Sequence, residues 1–139
     1  VIASSRVTGV VAAAVAGDAV GTWVEPHASS LSARKLWIAF GMAARGKVAA
    51  DRGAVQALVA DGRSLLPVGV TAVIGDFTIG DAVEVLGPDG ALVGKGRVAI
   101  GAVEARAAMG RHSSEAGGVV IHRDDLVVFV GGRSPAKPR

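Results

Sequence analysis

The chain has 139 residues, half of them hydrophobic, which is enough for one compact domain with appendages. Its formal net charge is +3, but three of its 15 basic residues lie in the acid-free tail 131–139, which leaves 12 basic and 12 acidic residues elsewhere. We therefore predict a neutral folded body and a basic, disordered tail. The chain has no cysteine, which excludes disulfides, thiolate chemistry and cysteine zinc sites.

The apolar segments are too short to span a bilayer. The longest uncharged runs are residues 7–17 and 64–75, whereas a spanning helix needs about 20 apolar residues. No secretory signal is recognisable, so we expect a soluble, cytoplasmic protein with no membrane partner. The chain begins at Val1 within an apolar run that reads as a strand without neighbours. We therefore expect it to be a piece of a longer protein.

The first 32 residues predict a small α/β segment followed by a connection. Thr8 is placed to cap a short helix from Val10 to Val15, and Ala19–Val24 is predicted to be extended. Residues 26–32 contain a proline and three serines, which is typical of a linker.

The next segment predicts a helix, a strand and a second helix. Ala33–Phe40 favours a helix that ends at Gly41, although its apolar run from Leu36 also fits a buried strand. Lys47–Ala50 is predicted to be a short strand. Asp51 follows it in an N-cap position, before a helix whose apolar residues share one face and which stops near Gly62.

The second half of the chain predicts mainly β-structure. Strands are expected at Val70–Ile74, at Asp81–Leu86 and at Ala91–Ile100, the last two joined by a Gly-Pro-Asp-Gly turn. A short helix is expected at Ala102–Met109, and the closing strands at Val119–Ile121 and Leu126–Val130. The fold class is therefore mainly β with short helices, an α+β fold.

Several short sequence motifs occur in the order typical of one enzyme family. They are Gly21-Thr22, Ala33-Arg34-Lys35 with Trp37-Ile38, Ser64 to Gly69, Gly75-Asp76-Phe77 with Gly80-Asp81, and His122-Arg123-Asp124-Asp125-Leu126. On these motifs nearly the whole chain resembles the C-terminal part of the glutamate 5-kinase family, which ends in a PUA domain. The chain departs from the family where Ala99-Ile100 replaces a usual Asn-Tyr pair and where the connection after Glu115 is shorter.

The resemblance implies a domain organisation and a function. Residues 1–25 would be the end of an α/β amino-acid kinase domain, 26–32 a linker, 33–130 a PUA-type pseudo-barrel of mixed strands, and 131–139 the tail. The parent enzyme would use ATP and Mg²⁺ to phosphorylate the side-chain carboxylate of glutamate, the first step of proline biosynthesis. This segment would carry no catalytic or cofactor-binding residue and would act as a regulatory or interface module. Its expected partners are the N-terminal kinase domain of the same enzyme and further copies of that enzyme.

Other chemistries have weaker support in the sequence. His122-Arg123-Asp124 looks like a protein-kinase catalytic triplet, but the chain has no asparagine to follow it. We predict a turn there, in which Asp124 or Asp125 bonds backbone amides and Arg123 pairs with an acid. Gly94-Lys95-Gly96 is too short for a phosphate-binding loop and lies in a hairpin strand, where it predicts a bulge or close packing at a barrel corner. The three histidines lack the spacing of metal ligands.

The alternative function is RNA binding, because the PUA fold serves as an RNA-binding module in enzymes that modify tRNA and rRNA. Arg52 and Arg63, which flank the capped helix, and the nearby Lys47 are the candidate contacts, and a solvated charged face is the simpler interpretation. Arg34 and Lys35 are candidates for contact with a phosphate or a partner domain. Trp37 beside them is expected to be buried with its N–H bonded.

Overall fold

The computed structural model describes residues 1–24, 31–112 and 118–129. The chain divides into two compact units, Val1–Ser30 and Leu31–Arg139. Three sequence predictions fall on residues outside the described ranges, namely most of the linker 26–32, the tail 131–139 and His27.

Residues 1–24, the described part of the first unit, contain one helix and one backbone bridge. Helix α1 spans Val10–Ala16, as predicted, but its N-cap is Gly9, which has no side chain to bond the first turn. The predicted cap at Thr8 is therefore wrong: Gly9 adopts φ 75°, a left-handed conformation that glycine allows without strain, and sets the start of the helix. Ile2 and Thr22 exchange two backbone hydrogen bonds of 2.8 Å.

The second unit opens with a helical segment of two parts. Helix α2 spans Ala33–Leu36 and continues as a single π-helical turn, Trp37–Gly41. The Ser32 hydroxyl caps it by accepting a hydrogen bond from the Lys35 N–H at 3.3 Å. The helix prediction is confirmed, and the alternative of a buried strand at Leu36–Phe40 is wrong because these N–H groups bond within the segment.

A five-stranded mixed sheet forms the centre of this unit. Its order is β2-β1-β3-β4-β5, with β1 parallel to β3 and all other neighbours antiparallel. This confirms the predicted fold of mixed strands with short helices. The strands span Ala44–Ala50 (β1), Val70–Gly75 (β2), Ala82–Leu86 (β3), Leu92–Val98 (β4) and Ile121–Val128 (β5).

A capped helix follows the first strand. The Asp51 carboxylate accepts a hydrogen bond of 2.7 Å from the Ala54 N–H, which confirms the predicted N-cap. Helix α3 then spans Arg52–Ala60 and buries Leu58 against the sheet. A 3₁₀ turn at Pro67–Gly69 returns the chain to β2.

The turn between β3 and β4 confirms the predicted hairpin. The Gly87 N–H donates to the Ala91 carbonyl at 2.8 Å, and the Asp89 carboxylate accepts from the Ala91 N–H at 3.1 Å. Gly90 adopts φ 77°, so glycine is required at that point of the turn.

Helix α4 spans Ala102–Ala108, in agreement with the prediction. It packs beside the edge strand β2 and buries Ala105 in the core. Arg106 donates a hydrogen bond of 2.6 Å to the Gly75 carbonyl at the end of β2, so the helix helps to cover this edge. Within the described part of the chain, no helix has the length and apolar character needed to cross a membrane.

The last strand corrects the sequence interpretation. One continuous strand, β5, replaces the predicted pair Val119–Ile121 and Leu126–Val130, and the predicted turn at His122–Asp124 is wrong. The register of β5 against β4 shifts between Gly96 and Val98, and this irregularity lets three successive polar side chains reach solvent without ending the strand. Asp125 bonds arginine side chains and not the predicted backbone amides.

Close packing of β5 against β4 depends on two glycines. A Cβ atom at Gly94 would lie 2.4 Å from the Val127 carbonyl oxygen, and one at Gly96 would lie 2.6 Å from the Ile121 side chain. The prediction of close packing at Gly94-Lys95-Gly96 is thereby confirmed.

Buried apolar side chains form two clusters on opposite faces of the sheet. The larger lies between the sheet and helices α3 and α4, and includes Val48, Val85 and Ile121. The smaller holds the α2 segment to the other face through Ile38 and Val127. Alternation along β5 produces this division, because successive side chains point to opposite faces.

Candidate anion-binding site

Three of the five candidate cations lie beside acids, and the pairs at Lys47 and Arg34 have the shortest distances. The Lys47 ammonium lies 3.1 Å from the Glu84 carboxylate on the neighbouring strand. The Arg34 guanidinium donates to the Asp125 carboxylate at 2.5 Å and so joins α2 to β5. Both cations act within the protein's own structure and are poor choices for ligand contacts.

Asp125 is the centre of a small ionic network. Its second oxygen accepts from Arg97 at 3.3 Å, and its side chain is only 14% exposed. Burial alone would raise the pKa of Asp125, but the hydrogen bonds from Arg34 and Arg97 outweigh it and hold that pKa below its usual value. The network fixes the position of α2 on the sheet.

The two arginines that flank α3 lie in different surroundings. Arg52 lines a groove of about 410 Å³ between α3 and the β3–β4 turn, whose walls include Val55, Val59 and Pro88. Within the described residues Arg52 has no ion-pair partner. Arg63 follows the other end of the helix and does not line that groove.

Three cationic residues line a second cavity, of about 220 Å³. Lys35 from α2, Arg63 from the loop after α3, and Arg123 from β5 line it together. None of the described residues that line the cavity is acidic. Its apolar wall is formed by Leu31, Leu58, Leu126, Val127 and Val128.

Backbone hydrogen bonds hold the two arginine positions in place. The Arg63 N–H donates to the Ala57 carbonyl at 3.1 Å, and the Arg123 N–H donates to the Ser64 hydroxyl at 3.0 Å. Lys35 lies next to the Arg34 anchor on α2. These contacts use backbone N–H groups and do not involve the charged ends of Arg63 and Arg123.

The nearest acids restrain the arginines only weakly. Asp61 lies 3.6 Å from the Arg63 Nε, and Asp124 lies 3.8 Å from the Arg123 Nε. The predicted pairing of Arg123 with an acid is thus confirmed. Because all four side chains are more than half exposed, such pairs contribute little, about 0–1 kcal/mol each. An incoming anion can compete with them.

The sequence interpretation missed Arg123 and misplaced Trp37. Arg123 was assigned to a turn, whereas it lies where the register of β5 against β4 shifts, and strand alternation does not reveal such a position. The prediction of a buried Trp37 is wrong, because its side chain is 55% exposed. The ring lies against Gly41, where a Cβ atom would approach the Trp37 Cδ1 to 2.7 Å.

Comparison with known proteins gives consistent results. Residues 46–120 match the family model described as PUA domain. The chain is similar to glutamate 5-kinases from Mycobacterium ulcerans, at 43% identity over 84% of the chain and 33% of the relative, and from Thioalkalivibrio sulfidiphilus, at 42% over 92% and 36%. It therefore spans about a third of the length of these curated relatives.

A solved structure supports the fold. A conserved PUA domain protein from Thermoplasma acidophilum superposes with a TM-score of 0.50 at 23% identity, covering 63% of this chain and 50% of that chain. At this level of identity the similarity concerns the fold alone. Taken with the matched family model, these similarities show that the chain belongs to the PUA-domain family, in the form homologous to the C-terminal region of glutamate 5-kinases.

Proposed function

We propose that this chain is the C-terminal part of a glutamate 5-kinase and acts there as a non-catalytic regulatory or interface module. The observation that carries the proposal is the 42–43% identity to glutamate 5-kinases over 84–92% of the chain. In this proposal residues 1–25 end the amino-acid kinase domain, 26–32 connect the domains, 33–130 form the PUA domain and 131–139 the tail. The enzyme would be cytoplasmic, where its ATP is supplied.

ATP and Mg²⁺ would be bound by the kinase portion of the enzyme. Among the described residues, no three or more His, Asp or Glu side chains gather as a group that could hold a metal ion. Lys95, in the Gly-Lys-Gly sequence, donates hydrogen bonds to the carbonyls of Ala39 and Met42. Its ammonium is thereby used within the structure, and these residues do not fit a nucleotide-phosphate loop. We assign no phosphoryl-transfer step to the described residues.

The test compares the full-length enzyme with a form that lacks residues 31–139. We expect the isolated chain to show no glutamate-dependent ATP turnover. We expect the shortened enzyme to retain turnover but to change its inhibition by proline or its assembly, measured by light scattering. Glutamate-dependent turnover by the isolated chain would contradict the non-catalytic role, and unchanged inhibition and assembly would contradict the regulatory role.

RNA binding is the second candidate function, favoured by the cavity lined by Lys35, Arg63 and Arg123. RNA affinity measured against salt concentration tests it, because each phosphate contact steepens the salt dependence. Replacing Arg63 or Arg123 by alanine should weaken binding, whereas Arg52→Ala should not, since Arg52 lines a different groove. Binding that depends only on the basic tail would contradict this candidate.

A further inference from the structure

The cavity lined by Lys35, Arg63 and Arg123 carries positive charge and is suited to an anionic group. We infer that it binds a terminal phosphate, that is a phosphomonoester dianion, in preference to an internal phosphodiester. The inference does not require kinase activity of the parent enzyme. It goes further than the RNA-binding candidate, which concerns the same cavity, by specifying which phosphate is bound.

Charge balance is the first argument. Lys35, Arg63 and Arg123 line the cavity, and none of its described lining residues is acidic. Asp61 and Asp124 lie beside the two arginines, but these pairs are exposed and weak. A phosphomonoester carries a charge of about −1.5 to −2 near neutral pH, whereas an internal phosphodiester carries only about −1. The monoester therefore competes better with the two acids and gains more from the three cationic residues.

Donor geometry is the second argument. Arg63 and Arg123 each offer a planar guanidinium, which can bond two phosphate oxygens at once, and Lys35 adds a point charge. A terminal phosphate presents three free oxygens to these donors, whereas an internal phosphodiester presents two. The third free oxygen of a terminal phosphate can accept from the third cationic side chain. An internal phosphodiester has no free oxygen left for it.

The size and lining of the cavity are the third argument. At about 220 Å³ it is smaller than the groove of about 410 Å³ beside Arg52, and its wall is aliphatic. An internal phosphate would have to bring a sugar on both sides into this space. A terminal phosphate enters with a substituent on one side only, and that substituent can remain in solvent or lie on the aliphatic wall.

The terminal phosphate could come from a free nucleotide or from the end of an RNA strand. Both present the same dianion, so the probes must separate the two sources. We suggest calorimetric titration of the full chain with adenosine, adenosine 5′-monophosphate, and the dinucleotide ApA with and without a 5′-phosphate. Salt at about 0.15 M limits weak association with the basic residues of the tail.

We expect both 5′-phosphorylated ligands to bind, with a Kd on the order of 1 mM. Adenosine and unphosphorylated ApA should bind at least about tenfold more weakly, since each lacks a dianion. Stronger binding of the phosphorylated dinucleotide than of the mononucleotide would identify an RNA end as the better source. Equal binding of ApA with and without its 5′-phosphate, or no binding of either phosphorylated ligand, would overturn the inference.

Variants locate the site and exclude general charge effects. Lys35→Ala, Arg63→Ala and Arg123→Ala should each weaken binding of the monophosphate about fivefold, the effect of one charge-assisted hydrogen bond at an exposed site. Arg52→Ala is the matched control, because it removes the same charge from the other end of α3. A chain with Arg133, Lys137 and Arg139 changed to glutamine controls for the tail. If Arg52→Ala or the tail variant lost as much affinity as Arg63→Ala, the assignment to this cavity would be wrong.

The pH dependence gives an independent readout. A phosphomonoester has its second pKa near 6, so its dianion is about tenfold less populated at pH 5 than at pH 7. Affinity for the monophosphate should fall in parallel. Affinity that stays constant between these pH values would contradict selection of the dianion.

Discussion

The two faces of the sheet are covered by different means. The face that packs against α3 and α4 is sealed by apolar side chains such as Val48, Val85 and Ile121. The opposite face holds the α2 segment with a small apolar cluster, an ionic network at Asp125 and the ammonium of Lys95. The first face makes the fold stable, while the second fixes where Lys35 lies relative to the two arginines of the cavity.

Truncating a buried isoleucine on each face should give the largest difference in the free energy of unfolding. Ile121→Ala should lower the free energy of unfolding by about 3–4 kcal/mol, because Ile121 is fully buried in the large cluster. Ile38→Ala, fully buried in the small cluster, should cost about 2 kcal/mol, since fewer elements surround the space it leaves. Urea denaturation measures both. Val103→Ala, at an exposed position, is the control, and equal costs for the two isoleucines would remove the distinction.

A smaller effect is expected from Asp125→Asn. Removing the carboxylate that bonds Arg34 and Arg97 should cost about 1–1.5 kcal/mol at neutral pH, since the arginines are partly exposed. The pKa of Asp125 is lower in the folded protein than in the unfolded chain. The carboxylate therefore adds its full stabilisation above the unfolded pKa of about 3.9. This stabilisation is lost as the pH falls through the lower pKa of the folded state. Urea denaturation of both proteins at several pH values should show the difference shrinking in acid. A difference that stayed constant down to low pH would show that the carboxylate charge is not its cause.

Lys95→Met should have an effect of about 1 kcal/mol. The thioether keeps the length of the side chain but cannot donate to the carbonyls of Ala39 and Met42. Burial lowers the pKa of Lys95, because the charged ammonium loses solvation at this position. Removing that charge therefore offsets part of the stability lost with the two hydrogen bonds. Hydrogen exchange should accelerate in residues 33–41 and remain unchanged in α3. Equal acceleration in both segments would indicate global destabilisation instead.

The smallest expected change in stability is that of Gly41→Ala, about 0.5 kcal/mol or less. The new methyl group would meet the Trp37 ring at 2.7 Å, but the ring is exposed and can rotate away. Trp37 fluorescence should therefore change while the unfolding midpoint does not. Trp23→Phe in both proteins removes the second tryptophan signal. An unchanged spectrum would show that the ring does not rest on Gly41.

Local signals in the sequence were sufficient for much of the fold. The Asp51 cap and the Gly-Pro-Asp-Gly turn each depend on a few adjacent residues, so both could be read without tertiary information. The structure of Ala33–Phe40 could not be decided from the sequence, because its apolar run fitted both a helix and a buried strand. Its packing against the sheet decides between them. The charged stretch in β5 was mistaken for a turn, since only the strand pairing shows that these residues form an irregular part of a continuous strand.

The candidate site was less predictable for the same reason. Arg63 and Lys35 were singled out from sequence, but their meeting with Arg123 requires three elements that are far apart in the chain. Arg52 resembles Arg63 in sequence context, yet it lines an apolar groove on another side of α3. Whether a cation is free or neutralised depends on such long-range packing, which residue spacing does not specify.

The position of β1 has a consequence for how the domain is made. Although it comes first along the chain, β1 lies inside the sheet and is hydrogen-bonded to both β2 and β3. The core also needs Ile121 and Leu126 from the last strand. During synthesis β1 can pair with β2 and β3 early, but the core cannot close until β5 has left the ribosome. Folding should then be completed in a single late step, and a chain that stops before β5 would be a substrate for chaperones and proteases.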